Sequence, residues 1–184
     1  SSTSTTCNAA GEVIREETVT VNSAGAETIV TKLTDPATGA EVTQTTEKLT
    51  DGSSTSTTIN DATGDVIRKE TVTVDDAGDV TRRQVVTVNA EGEETTVEKF
   101  TDPATGAEVT QTTEKLTDGS STSTTVNDET GEEIRKEAVT VTEGLSEAVM
   151  EFTDSETHKT FSQTTQTRTD GSSTTTITND VGVD

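Results

Sequence analysis

Hydrophobic positions along this chain fall into short, imperfectly alternating stretches, each closed by a turn that usually carries a glycine. In Asp65–Val74 one side of an extended segment carries Val66, Arg68, Glu70, Val72 and Val74, and the other carries Ile67, Lys69, Thr71 and Thr73. In Glu41–Leu49 both sides are mostly Thr, Gln, Glu and Lys. A half-buried strand alternates strictly, and these segments only approach that. The larger apolar groups gather near segment ends, at Val13, Ile14, Leu33, Leu49, Phe100, Leu116, Phe152 and Phe161. The filler is Thr and Val, which are stiff at χ1 and fit a pleated strand.

The punctuation is regular. Successive glycines lie 11–14 residues apart, with a single step of 27. That step is two turns with one glycine missing, and aligning Asp102–Gly106 with Asp154–His158 puts His158 in the vacant place. Histidine is among the better tolerated residues at positive φ, so a turn position accounts for it. The turns begin with Asn or Asp, as in N-A-A-G, D-P-A-T-G and N-D-A-T-G, and all six asparagines (8, 22, 60, 89, 127, 179) start one. Asn and Asp side chains bond their own backbone two residues on, and Pro36 and Pro103 pre-set φ. The T-D-G-S sequences at Asp51, Asp118 and Asp170 predict tight type I′ turns. Fourteen turns predict about fifteen antiparallel strands of 7–11 residues, each roughly 23–36 Å long at ~3.3 Å per residue. The expected fold is all-β: antiparallel hairpin repeats in an extended sheet or stacked sheets, completed by neighbouring subunits.

A longer repeat lies on this rhythm. Thr34–Thr58 recurs identically at Thr101–Thr125, and a looser copy runs from Thr153 to Ile177. A second set, E-V-I-R-E-E-T-V-T-V, begins at Glu12, Asp65 and Glu132. The expected organisation is repeat 1 over 1–52, repeat 2 over 53–119 with one extra arm near Asp79–Glu93, repeat 3 over 120–171, and the start of a further repeat over 172–184. The first residues, S-S-T-S-T-T, are the element that elsewhere follows T-D-G, and the last follow a turn. This predicts a piece of a longer repetitive polypeptide, or a subunit that joins others end to end.

Composition sharpens this picture. The 184 residues carry 35 acidic and 13 basic side chains, a formal charge of -22, and only 26% are hydrophobic. Such figures suit a disordered chain, but 2 prolines and abundant β-branched residues argue for strands. No run of ~18 apolar residues predicts a membrane helix, and no basic patch offers itself to nucleic acid. So thin a core struggles against a chain entropy of ~1–2 kcal/mol per residue, which points to edge pairing between subunits as the missing stabilisation.

Candidate chemistry is sparse. Cys7 is the only thiol and His158 the only imidazole, so neither a nucleophile–base pair nor a zinc site is expected. Cys7 aligns with Ile59, Val126 and Ile177 and reads as a small apolar substitute, with an intermolecular disulfide as its functional alternative. Asp61, Asp65, Asp75, Asp76, Asp79, Asp128 and Glu129, with Glu132 and Glu133, offer turn carboxylates to Ca²⁺, with weak binding expected. No cofactor is expected otherwise. No N-x-[ST] sequon occurs, and the Ser/Thr clusters lack the prolines of mucin stalks.

The segments T-D-G-S-S-T-S-T-T-I-N-D-A-T-G-D-V-I-R at Thr50–Arg68 and its counterpart at Thr117–Arg135 resemble the YD (RHS) repeats of bacterial toxin shells. The resemblance implies hairpin pairing in a continuous sheet and carries no activity. Ile59-Asn60 and Val126-Asn127 stand where that family has its Tyr-Asp pair, and this chain has no Tyr.

The functional expectation is a non-enzymatic structural protein that assembles with copies of itself into an extracellular filament or fibrous surface layer. The assembly residues expected are Ser1, Thr3, Thr5 and Cys7 at one end and Ser172, Thr174, Thr176 and Thr178 at the other. The alternative is a repeat segment of a cell-surface adhesin or stalk, stiffened by calcium. A carbohydrate- or ice-binding module would need an even Thr face, which the interleaved Glu, Lys and Arg interrupt.

Overall fold

A computed structural model describes residues 1–142, 144–153 and 159–179. Strand and turn alternate throughout them, with no helix. The chain divides into two compact units, Ser1–Val88 and Asn89–Asp184. The first holds β1 (Ser2–Cys7), β2 (Val13–Val21), β3 (Glu27–Thr34), β4 (Glu41–Lys48), β5 (Ser54–Asn60), β6 (Val66–Val74) and β7 (Val80–Val88). The second holds β8 (Glu94–Thr101), β9 (Glu108–Lys115), β10 (Ser121–Asn127), β11 (Glu133–Thr142), β12 (Leu145–Thr153), β13 (Thr160–Arg168) and β14 (Ser173–Asn179). Within each unit every strand pairs antiparallel with its sequence neighbours, giving an open meander in chain order. The all-β extended sheet is therefore the fold. Fourteen strands are described; a fifteenth would follow the turn ending at Gly182, which lies outside the described residues, as does His158.

Most of the described turns fall into two classes, set by the glycine's distance from the turn opener; the β11–β12 connection, where Thr142 pairs with Leu145, follows neither. In the shorter, Gly52 N–H donates to the Leu49 carbonyl (3.1 Å) and Leu49 N–H to that of Ser53 (2.8 Å). This corrects the type I′ expectation for T-D-G-S. The central residues are Thr50 and Asp51, and Gly52 follows them at φ 95° as the left-handed residue that rejoins the ladder. N-A-A-G and D-D-A-G close the same way. In the longer class one more residue is inserted, and Gly64 N–H reaches back to the Asn60 carbonyl (2.8 Å). Side chains template both: in the shorter class Asn22 Oδ1 accepts the Ala24 N–H (2.9 Å), and in the longer Asp35 Oδ1 accepts the Ala37 N–H (3.0 Å) while Thr38 Oγ1 donates to Oδ2 (2.7 Å).

The extra arm of the middle repeat is β7, paired with β6. A β-bulge recurs where each V/E-I-R strand leaves its turn. Ile14, Ile67 and Ile134 are the unpaired residues opposite Thr6/Cys7, Thr58/Ile59 and Thr125/Val126.

Burial is shallow. Among the described residues, Val42 (3% exposed) and Val109 (1%) are the buried hydrophobic ones, joined by Thr31, Glu98 and Thr125. Among the described residues every buried side-chain polar atom has a partner. Apolar side chains gather toward both ends of the ladders, with Leu49 and Val72, and likewise Leu116 and Val139, at the one and two further clusters at the other. Leu33, Val42 and the bulge residue Ile67 line an open concavity of about 230 Å³. Phe100, Val109 and Ile134, at the equivalent positions, line one of about 420 Å³.

Candidate assembly edges

In an antiparallel strand one residue turns both main-chain groups toward one neighbour and the next turns them the other way. The turns fix which is which. Asn8 N–H bonds Glu12 of the following turn (2.9 Å) and Asn8 O accepts from Gly11 (3.0 Å), so Asn8 faces β2. The bulge inserts its residue in β2 and leaves β1 regular. Ser2, Ser4 and Thr6 therefore face β2, and Thr3, Thr5 and Cys7 turn their N–H and C=O groups to the open side. Ser1 precedes the strand.

The same count at the other end gives a different row. Arg168 N–H donates to the Ser172 carbonyl (2.9 Å), so Ser172, Thr174, Thr176 and Thr178 give their main-chain groups to β13. The open row of β14 belongs to Ser173, Thr175 and Ile177. Composition does not distinguish the two rows, since Ser173 and Thr175 carry hydroxyls as Ser172 and Thr174 do. The parity of the preceding turn is the signal that finds them.

The edges are chemically plain. β1 reads STSTTC and β14 reads STTTITN, without a charge or a proline. Across its pair, Thr3 Oγ1 lies 3.3 Å from Thr18 Oγ1, and Thr175 Oγ1 lies 3.2 Å from Thr165 Oγ1. Proteins usually blunt a sheet edge with Lys, Pro, a bulge or an inward charge, and neither strand carries any of the side-chain devices. Cys7 is exposed and free.

One alignment is corrected by register. Asn8, Asn60, Asn127 and Asn179 mark the same place, so the partner of Cys7, Ile59 and Val126 in the last copy is Thr178, not Ile177. Ile177 pairs with Gln163 as Thr58 pairs with Gln44, which puts it on the opposite face from Ile59, and it is 68% exposed.

The acidic candidates are spread over three turns. Asp61 and Asp65 belong to the β5–β6 turn, Asp75, Asp76 and Asp79 to β6–β7, and Asp128 and Glu129 to β10–β11. Asp75 Oδ1 accepts the N–H groups of Ala77 (2.9 Å) and Asp79 (3.0 Å). Asp128 accepts Thr110 Oγ1 (2.6 Å) and pairs with Lys99 Nζ (3.3 Å). The Thr110 hydroxyl, helped by Lys99, holds the Asp128 carboxyl below its ordinary value of 3.8. Among the described residues, no three His, Cys, Asp or Glu side chains are grouped to hold a metal ion.

No protein-family model, curated protein or solved structure matches the chain.

Proposed function

We propose that the chain is a non-enzymatic structural protein, a subunit of an extracellular self-assembling filament or fibrous surface layer held by β-strand pairing between copies. One observation carries this reading: the first and last described strands, β1 and β14, hold neither a charge nor a proline, and among the described residues each has a ladder on one side alone. Uncharged segments of high β-propensity without proline are the sequences that add further strands. The thin interior supports the reading, because pairing between copies supplies order that side-chain burial does not. The formal charge of -22 would keep assembled material hydrated and dispersed.

Light scattering and electron microscopy over a concentration series test this. The expected result is mass growth with concentration and regular fibres. A monodisperse monomer at the highest concentration, with the outer rows of β1 and β14 exchanging freely, overturns it. A large calcium-induced thermal shift at constant mass would instead favour the stalk.

A further inference from the structure

β1, β5, β10 and β14 are four copies of one strand: S-S-T-S-T-T followed by C-N, I-N or V-N, and S-S-T-T-T-I-T-N. β5 and β10 each lie between a Thr/Gln-rich strand (β4, β9) and a V/E-I-R strand (β6, β11). Among the described residues β1 has only the second kind of neighbour, β2, and β14 only the first, β13. Laying β14 of one copy against β1 of another would put two copies of this strand side by side, an order absent from the described pairs. Substituting one for the other restores the interior order.

Two further observations point the same way. The first is apolar. In the complete copies a platform, Leu33 with Val42 or Phe100 with Val109, shares its concavity with the bulge isoleucine two strands on. The third platform is Phe152 and Phe161, stacked at 5.3 Å; Phe152 borders the Ile134 concavity on one side and is still 42% exposed. The isoleucine that has no such platform before it is Ile14, 45% exposed. The second is polar. Ser53 Oγ accepts the N–H of Val74 (3.3 Å) and Ser120 Oγ that of Val141 (3.0 Å). Ser172 occupies that serine's place beside β14, and Val21 occupies that valine's place in β2.

Resting on the filament reading, we infer that copies join by strand replacement: β14 of one copy takes the place of β1 against β2 of the next. β1 is the strand that yields. It pairs over six positions broken by a bulge, whereas β14 holds β13 over seven unbroken ones. In the joined sheet Thr178 pairs opposite Val13, Ser172 receives the Val21 N–H, and Ile14 closes over Phe152 and Phe161.

The test locks β1 in place in the full chain. Cys7 and Val13 are register partners, and Cys7 turns its main-chain groups away from β2. A non-hydrogen-bonded pair sits ~4.5 Å apart at Cα, within disulfide range. Oxidised Val13→Cys should lose fibre formation and regain it on reduction. A Thr5→Cys/Glu16→Cys bridge in a Cys7→Ser background gives a second lock across the next outward position. Ile14→Asp should raise the critical concentration at least about tenfold without moving the unfolding midpoint of the monomer. Fibres that form equally well with either lock closed overturn replacement while leaving the filament reading intact. An unmodified chain that forms no fibres at any concentration, with reduced Val13→Cys equally inert, overturns the filament reading itself.

Discussion

β5 and β1 share their first five residues, STSTT, yet they live in different surroundings. β5 is half-buried along its whole length; β1 is exposed along all of it. Sequence identity removes propensity as the cause, so the difference lies in the neighbours. β5 is clasped from both sides and has the Leu33–Val42–Ile67 cluster at one end. β1 has one ladder and ends in the exposed pair Cys7 and Val13. A strand of this composition is thus made ordered by what flanks it, in keeping with β-propensity being a measure of fit to neighbours.

The largest effect that would break this comparison lies in the cluster. Val42→Asp puts an unpaired charge at a side chain only 3% exposed, and should cost on the order of 3–5 kcal/mol. Val13→Asp, at a position 59% exposed, should stay within about 0.5 kcal/mol. Urea unfolding of the two variants decides it. Equal losses would show that the clusters do not hold the ladders.

Turn glycines come next. Gly64 and Gly11 have similar φ, 79° and 84°, and a Cβ at either would meet nothing within 4 Å. Alanine therefore pays only the left-handed backbone penalty of about 1–2 kcal/mol. At Gly64, between two interior strands, the loss should appear in the global unfolding midpoint. At Gly11 it should appear as faster amide exchange in β1, with the midpoint nearly unmoved.

Much of this fold was legible in the sequence. The glycine rhythm gave the turns, Asn and Asp gave their openings, and β-branched filler gave the strands between. The T-D-G-S turn was misjudged because a glycine after a type I turn and a glycine inside a type I′ turn look alike until the hydrogen bonds are traced. Register was harder. Ile177 resembles Ile59 in residue type, yet the asparagine that follows fixes the pairing, and one residue of slip moves a side chain to the other face. The outward rows of the two end strands were less legible: on β14 the outward residues follow from turn parity, which composition does not report.

That parity makes the third test. In the monomer, amides of Thr3, Thr5 and Cys7 should exchange about tenfold faster than those of Ser4 and Thr6, and those of Ser173, Thr175 and Ile177 faster than those of Thr174 and Thr176. Both rows of β5 should be protected. In assembled material, strand replacement protects the outer row of β14 and exposes the inner row of β1. Simple edge addition would instead protect the outer rows of both. Uniform exchange along β1 in the monomer would undo the assignment of its rows.

The smallest effect is electrostatic, and its sign is fixed. Asp35, Asp128 and Asp170 are all held below the ordinary carboxylate value of 3.8: Asp35 mainly by the Ala37 N–H, Asp128 by the Thr110 hydroxyl, and Asp170 by the Ser172 hydroxyl. A carboxyl with a depressed folded pKa adds stability that is present above the unfolded value near 3.9 and is lost as pH falls through the folded one. All three are solvent-exposed, so each contribution is small. The net charge acts in the opposite direction, because acidification toward pH 4 relieves the repulsion of a chain at -22. Asp128→Asn separates the two, since one charge in so many barely alters the global field but neutralises the acceptor that ties the β10–β11 turn to Thr110 and Lys99. The unfolding midpoint of the variant should lie below that of the parent between pH 5 and 7, and the gap should narrow as pH falls from the unfolded value through the depressed folded one. A gap that persists unchanged at pH 2 would mean that the turn is held by the shape of its hydrogen bonds and not by the carboxylate's charge, leaving β10 and β11 joined by the same neutral contacts as the rest of the ladder.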